Sequence, residues 1–210
     1  MNKLGDLSCK EILTELASAA PAPGGGGGAA MAGALAAALA SMVANLTIGK
    51  EKFADREPEV KELLEQAEAE RVRLLTLVDE DAAVFNSFMS CYKLPKTTDE
   101  EKAARTAAIR AAAKQAATVP LNIARSSFAV LKLADRLVVA GNPGVITDGA
   151  CSGLLARAAL RCAEYNVRIN LGLTKDEAWN AQAATELKQL LADAEALETR
   201  LLAVTDKALQ

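Results

Sequence analysis

The sequence predicts an all-α protein, and three observations lead to that class. Hydrophobic residues make up 51% of the 210 residues but aromatic ones only 3%, and the abundance of Ala and Leu suits closely packed helices. Two S/T-x-x-E capping boxes, 8–11 and 98–101, each open a segment with helical periodicity. The β-branched run 145–147 is too short for a strand. We therefore expect one domain, residues 1–210, built as a multihelical bundle of about seven helices.

Proline and glycine separate the first three predicted helices. The helix that follows the first capping box is stopped by Pro21. Five consecutive glycines, 24–28, then lead into an Ala-rich helix that Gly49 ends. A long third helix has Pro58 in its first turn and is broken at Leu94-Pro95.

Proline also divides the next segment. An Ala-rich amphipathic pattern runs from the second capping box to about Thr118, and Pro120 fits the first turn of another helix. This separates a fourth helix from a fifth, which ends at the turn 141–144. A sixth helix is expected at about 148–171, and residues 174–177 cap the seventh.

Composition excludes several classes of function. The 24 basic and 27 acidic residues nearly balance, which argues against nucleic acid as a partner. The chain has no histidine, so imidazole metal sites and histidine-based triads are excluded, and we expect no metal and no permanently bound cofactor. Four scattered cysteines without CxxC spacing, and no signal peptide, indicate a reducing cytoplasm.

A membrane span is a possible interpretation of the uncharged stretch between Glu15 and Lys50. The stretch is mostly Ala and Gly, and its first third is rich in proline and glycine. Such a segment inserts poorly into a bilayer. We expect a buried central helix and no membrane partner.

The glycine run at the start of this helix is a candidate ligand site. Backbone N–H groups at a helix N-terminus have no intrahelical partner, and glycines leave them open to an anion or a polar ligand edge. A flexible linker between two helices is the alternative interpretation. The run consists of Gly24, Gly25, Gly26, Gly27 and Gly28.

One carboxylate lies on the apolar face of the long third helix. At about 100° per residue, Asp81 falls near the middle of the arc that carries Leu74, Val78 and Phe85, whereas Asp79 and Glu80 fall outside it. A carboxylate on such a face is paired, hydrogen-bonded or protonated. If desolvation dominates, its pKa rises toward the range that a general acid/base needs.

Four other polar residues have more than one interpretation. Asn166 and Asn170 share one face of a helix, either as an interhelical hydrogen-bonding pair or as ligand contacts. Asp148 stands where an N-cap is expected. Lys50 follows a helix C-terminus, where a cation is favourable.

Ordered motifs over nearly the whole chain give a further, independent indication. The motifs are Pro21-Ala22-Pro23-Gly24-Gly25-Gly26, Ser41 to Lys50, Leu77-Val78-Asp79-Glu80-Asp81-Ala82, Leu94-Pro95-Lys96-Thr97, Val119-Pro120-Leu121, Gly141-Asn142, Thr147-Asp148 and Asn166-Val167-Arg168-Ile169-Asn170-Leu171. With these motifs the chain resembles the cyclodeaminase/cyclohydrolase family of tetrahydrofolate enzymes, which includes the cyclodeaminase half of formiminotransferase-cyclodeaminase and stand-alone bacterial methenyltetrahydrofolate cyclohydrolases. After the glycines, Gly27-Gly28-Ala29-Ala30 is more similar to the stand-alone cyclohydrolases.

The resemblance implies a multihelical homodimer that acts on a small folate, without nucleic acid. It implies that Asp81 is the catalytic aspartate. Two reactions share one tetrahedral carbon: hydrolysis of 5,10-methenyltetrahydrofolate to the 10-formyl compound, and cyclisation of 5-formiminotetrahydrofolate with release of ammonia. The residues leave both open, together with a third interpretation, a non-catalytic helical dimer that binds and channels folate.

On this hypothesis Asp81 moves protons, and Lys50 and Asp148 orient water and tune the carboxylate. The glycine backbone and the two amides bind the pterin or the carboxylates of the glutamate tail, whether that tail is a single glutamate or a polyglutamate. Basic side chains are expected near that tail. The expected substrate contacts are Gly24, Gly25, Gly26, Gly27, Gly28, Asn45, Lys96, Asn142, Asn166, Arg168 and Asn170.

Overall fold

A computed structural model describes residues 3–210 of the chain. Within that range the secondary structure is entirely helical, with six α-helices, three short 3₁₀ turns and no strand, which confirms the predicted all-α class. The helices are α1 (Cys9–Leu16), α2 (Gly24–Asn45), α3 (Glu57–Cys91), α4 (Asp99–Ala140), α5 (Ile146–Leu171) and α6 (Glu177–Ala208).

The predicted break at Pro120 is wrong, and the predicted count of seven helices falls to six among residues 3–210. Helix α4 continues through Pro120, although a proline inside a helix lacks the N–H that would bond to the carbonyl four residues earlier. That carbonyl belongs to Ala116, and the Asn170 side chain of α5 donates to it at 2.7 Å. Tertiary contact therefore supplies the hydrogen bond that the proline removes.

The glycine run is helical, so the linker interpretation is wrong. Helix α2 begins at Gly24 and packs in the centre of the molecule against α3, α4 and α5. By length and composition it is apolar enough to cross a membrane, but 61% of its most apolar window is buried. Its inner face is made of alanines, of which Ala36, Ala40 and Ala44 are fully buried.

Both predicted capping boxes are present. The Ser8 hydroxyl accepts from the Glu11 N–H, and the Thr98 hydroxyl accepts from the Glu101 N–H. Asp148, in contrast, is not an N-cap: Val145 precedes α5, and Asp148 lies inside its first turn. A 3₁₀ turn at Pro143–Val145 leads directly into the helix and leaves no capping position for the carboxylate.

Hydrogen bonds join α2 to α5, and join the residues after α2 to the turn before α5. The Ser152 hydroxyl of α5 donates to the Ala36 carbonyl at 2.7 Å. Beyond the end of α2, the Asn142 N–H donates to the Thr47 hydroxyl at 2.8 Å, and the Asn142 side chain donates to the Leu46 carbonyl at 3.1 Å. These contacts fix the middle of α2 against α5 and its C-terminal end against the turn between α4 and α5, whereas its N-terminal glycines lie beside Asp81 of α3 and Asn166 of α5.

Candidate active site

A cavity of about 180 Å³ lies where the N-terminus of α2 meets α3, α4 and α5. Asp81 is the charged residue among the residues that line it. The other lining residues are the turn Pro21-Ala22-Pro23, the glycines Gly24, Gly25 and Gly26, the apolar Val84, Phe85, Phe88 and Ala116, and the amides Asn166 and Asn170.

The Asp81 carboxylate packs directly against the backbone of Gly26. A Cβ atom built on Gly26 would lie 2.6 Å from the Asp81 Cγ, far closer than two carbon atoms approach without a bond. The absence of a side chain at residue 26 therefore makes room for the carboxylate. Asp81 lies on the same helical arc as the fully buried Leu74 and Val78, as the periodicity predicts.

The neighbouring carboxylates are outside the cavity. Asp79 accepts the Leu4 N–H at 2.6 Å, which ties the N-terminal turn to α3. Glu80 is exposed. The acidic cluster therefore separates into one residue at the cavity, one structural contact and one solvated charge.

Burial raises the pKa of the Asp81 carboxyl from 3.8 to about 6, although a hydrogen bond from the Gly27 N–H opposes the shift. Desolvation disfavours the ionised form, and no basic side chain lines the cavity to offset it. Since the folded pKa lies above the unfolded one, folding stability is greatest below pH 4 for this group and falls as the pH rises through 6. The cost at neutral pH is up to about 3 kcal/mol.

The start of α2 brings backbone donors to the same cavity. Gly24 has a φ of 58°, a conformation that favours glycine. Gly24, Gly25 and Gly26 occupy the first turn, where N–H groups have no intrahelical acceptor. The first helical bond comes from the Gly27 N–H to the Pro23 carbonyl at 3.2 Å. Gly28 does not line this cavity and lies instead near Leu16.

The two asparagines of α5 form the opposite wall. The Asn170 Nδ2 donates to the Ala116 carbonyl at 2.7 Å and to the Asn166 carbonyl at 2.9 Å. The Asn166 Nδ2 donates to the Cys162 carbonyl at 2.9 Å and lies 3.7 Å from the position of a Cβ on Gly25. Asn170 thus has the predicted interhelical role and also lines the cavity.

Four predicted site residues lie at the other end of α2. About twenty residues, or roughly 30 Å of helix, separate Gly26 from this end. Within one chain these four residues therefore do not contact Asp81, and Lys50 and Asp148 cannot tune it. The four, which we call the distal cluster, are Asn45, Lys50, Asn142 and Asp148.

The two predicted tail-binding cations are also outside the cavity. Lys96 is exposed in the connection between α3 and α4. Arg168 is exposed and contacts the buried Glu164 carboxylate at 3.3 Å. Both stay predictions for a ligand that extends beyond the cavity.

Sequence reasoning missed the wall that α4 supplies. Ala116 lines the cavity, and its carbonyl, which loses its helical donor at Pro120, accepts a hydrogen bond from the cavity residue Asn170. The signal was present, since the helical pattern continues on both sides of Pro120. Phe85, which the periodicity places on the apolar arc, and Phe88, one helical turn further on, both line the cavity beside the carboxylate.

Fold and site together define a class of protein: an all-helical protein with a half-buried carboxylate in a cavity between a glycine helix start and a pair of amides. A sequence profile of the formiminotransferase-cyclodeaminase family matches residues 8–189. The chain belongs to this family, which confirms the resemblance found in its motifs.

Individual relatives agree with this assignment. The chain is 45% identical to a methenyltetrahydrofolate cyclohydrolase from Methylorubrum extorquens, over 94% of this chain and 95% of the relative. It is 33% identical to the pig formimidoyltransferase-cyclodeaminase, over 88% of this chain but only 34% of that protein. A crystal structure of formiminotetrahydrofolate cyclodeaminase from Thermotoga maritima is 30% identical, covers 98% of each chain and has a TM-score of 0.88.

Proposed function

We propose that the protein is a 5,10-methenyltetrahydrofolate cyclohydrolase. The observation that carries the proposal is the half-buried Asp81 carboxylate, which faces a cavity without cations and has a pKa raised to about 6 by burial. An ionised carboxylate there stabilises the cationic amidinium carbon of the substrate. Near neutral pH it also accepts and returns protons efficiently.

The reaction needs one proton carrier. Water attacks the amidinium carbon, its oxygen forms a bond to that carbon, and Asp81 takes one of its protons. The tetrahedral adduct then collapses: the hydroxyl becomes a carbonyl, the bond from carbon to N5 breaks, and N5 receives the proton from Asp81. The hydroxyl proton leaves to solvent, which gives 10-formyltetrahydrofolate and one net proton.

Cyclodeamination is the second candidate, because it passes through a carbon that also carries N5, N10 and a third heteroatom. The structural likeness to the Thermotoga maritima cyclodeaminase supports it at 30% identity. The 45% identity over nearly the full length of the Methylorubrum extorquens cyclohydrolase supports hydrolysis more strongly.

We further propose that the protein works as a homodimer in the cytoplasm. Helix α2 carries no charge, yet its Leu35 and Met42, and Leu46 directly after it, are 56%, 38% and 39% exposed. Helix α5, which packs against α2, exposes Leu154, Tyr165, Ile169, Cys151 and Cys162. We call these two stripes the α2/α5 face. A second copy of the chain is the partner that matches an apolar face of this length.

A twofold dimer on this face would bring the distal cluster of one subunit close to Asp81 of the other. Leu35 lies near the midpoint of α2, so antiparallel packing about this residue places the C-terminal end of one α2 over the N-terminal end of the other. Lys50 of one subunit then approaches Asp81 of its partner. The cavity in one chain, about 180 Å³, is also smaller than the roughly 300–1,000 Å³ typical of ligand sites. A second subunit would enlarge it.

Paired turnover assays test the proposal. Loss of methenyltetrahydrofolate absorbance, and its appearance from 5-formiminotetrahydrofolate, are measured for the wild type, Asp81→Asn and the matched control Asp79→Asn. We expect methenyl hydrolysis above the spontaneous rate, a loss of about 100-fold or more in Asp81→Asn, and activity retained in Asp79→Asn. The wild-type kcat/KM should fall as the pH drops below about 6, because a protonated Asp81 cannot accept a proton.

Other outcomes would contradict the proposal in distinct ways. Methenyl formation with ammonia release would make the protein a cyclodeaminase. Folate binding without turnover above background in either assay would leave the non-catalytic folate-binding dimer.

A further inference from the structure

The hydrogen bonds of the two cavity amides fix which of their atoms face a ligand. Both N–H groups of Asn170 are used, one by the Ala116 carbonyl and one by the Asn166 carbonyl. The Asn166 amide nitrogen is held by the Cys162 carbonyl. Among the hydrogen bonds of residues 3–210, neither side-chain oxygen has a donor. Each asparagine therefore has a side-chain oxygen free to accept, and Asn166 also keeps one of its two side-chain N–H groups.

The negative charge of Asp81 also disfavours a ligand carboxylate beside the two amides. Asp81 is the charged residue that lines the cavity, and it stands against Gly26 while Asn166 stands against Gly25. Adjacent Cα atoms are about 3.8 Å apart, so the carboxylate and the amide flank the same short piece of backbone. A ligand carboxylate placed there would meet two acceptors and a like charge in a partly desolvated site.

We propose, on the basis of the folate assignment above, that the Asn166 and Asn170 oxygens accept hydrogen bonds from the amino-pyrimidine edge of the pterin. That edge carries N–H donors at N3 and at the 2-amino group, and its carbonyl is an acceptor for the free N–H groups of Gly24 and Gly25. The glutamate tail offers only carboxylate acceptors at neutral pH. It therefore leaves the cavity, and the two asparagines select the pterin end.

Binding measurements with three ligands test this assignment. Dissociation constants are measured by calorimetry for tetrahydrofolate, for its 2-desamino-2-methyl analogue, which lacks the amino donor, and for tetrahydropteroate, which lacks the glutamate. The variant is Asn166→Leu. The side-chain hydrogen bond that this substitution removes runs to the Cys162 carbonyl of the same helix, so no side-chain hydrogen bond between helices is lost. The matched control is Asn122→Leu on α4, where the asparagine contacts Arg125 and not the cavity.

The wild type should bind the desamino analogue about tenfold more weakly than tetrahydrofolate, the value of one hydrogen bond. In Asn166→Leu the ratio of the dissociation constants of the desamino analogue and tetrahydrofolate should fall toward one. The ratio of the dissociation constants of tetrahydropteroate and tetrahydrofolate should stay at its wild-type value. Asn122→Leu should leave both ratios unchanged.

The reverse pattern would overturn the inference. If Asn166→Leu kept the desamino ratio but abolished the tetrahydropteroate ratio, the amides would bind the tail while the folate assignment stood. If the wild type bound none of the three ligands, the folate assignment itself would fail and this inference would fall with it.

Discussion

Asp81 depends on a residue that contributes no side chain. Gly26 leaves the space that the carboxylate occupies, and the Gly27 N–H donates to it from the next position. The two effects act on the pKa in opposite directions, and burial is the larger. At this site the ionised form of Asp81 costs free energy, and any side chain larger than hydrogen at residue 26 would displace the carboxylate.

Gly26→Ala should lower turnover by about 100-fold, because the new Cβ must push the Asp81 carboxylate out of place and small displacements of a reacting group cost that much. The measurement is kcat/KM for methenyl hydrolysis.

Gly28→Ala is the matched control on the same helix. Its Cβ would meet only a Leu16 methyl at 4.0 Å. Alanine is also the better helix former, by roughly 0.5–1 kcal/mol. We expect unchanged turnover and a small rise in the free energy of unfolding. Equal turnover in both variants would show that the contact between Gly26 and Asp81 is unimportant for catalysis.

At the scale of elements, one side-chain hydrogen bond from α5 completes the backbone hydrogen bonding of α4. Pro120 leaves the Ala116 carbonyl without its intrahelical donor, and Asn170 replaces that donor from α5. The same amide lines the cavity. The continuity of α4 and the wall of the site therefore depend on one side chain.

A double-mutant cycle measures this dependence. Asn170→Ala should lower the free energy of unfolding by about 1–3 kcal/mol, because it leaves the Ala116 carbonyl unpaired. In a Pro120→Ala background the restored N–H bonds to that carbonyl, and the cost of Asn170→Ala should fall by about 1 kcal/mol. Urea denaturation of the four proteins gives the coupling. Strictly additive effects would mean that Asn170 stabilises the protein by another route.

At the scale of the whole molecule, the apolar α2/α5 face and the distal cluster lead to one arrangement. Lys50 lies about 30 Å from Asp81 along α2 in one chain, so it could act on Asp81 only if that residue belonged to a second subunit. The homodimer and the single-domain organisation stay predictions, and the dimer has a direct test.

Mixing two inactive variants tests whether sites are shared between subunits. If Lys50 serves the partner's Asp81, then refolding Asp81→Asn together with Lys50→Ala should restore about a quarter of wild-type turnover, because half of the dimers are mixed and each has one intact site. Sites contained within one chain would give no restoration. Full activity of Lys50→Ala alone would remove Lys50 from the mechanism.

Leu35→Glu in both chains provides the control for this experiment. It places a charge at the centre of the α2/α5 face and should prevent the restoration. Leu209→Glu introduces the same charge at a leucine that is similarly exposed, 62% against 56%, but outside that face. It should leave the restoration intact.

The sequence by itself determined the all-α class, the family and the position of Asp81. These rest on local properties: helical periodicity, side-chain capping and ordered motifs, which act over a few residues. The sequence also placed Asp79 and Glu80 outside the apolar arc, as the structure does.

Only the tertiary structure decided whether Pro120 ends a helix and which polar residues meet. A proline-broken hydrogen bond is restored by a side chain fifty residues away, and no local pattern contains that partner. The same holds for the distal cluster: its members share the family motifs with Asp81, yet the length of α2 keeps them apart within one chain. Local preferences set the helices, and the packing between them set the site.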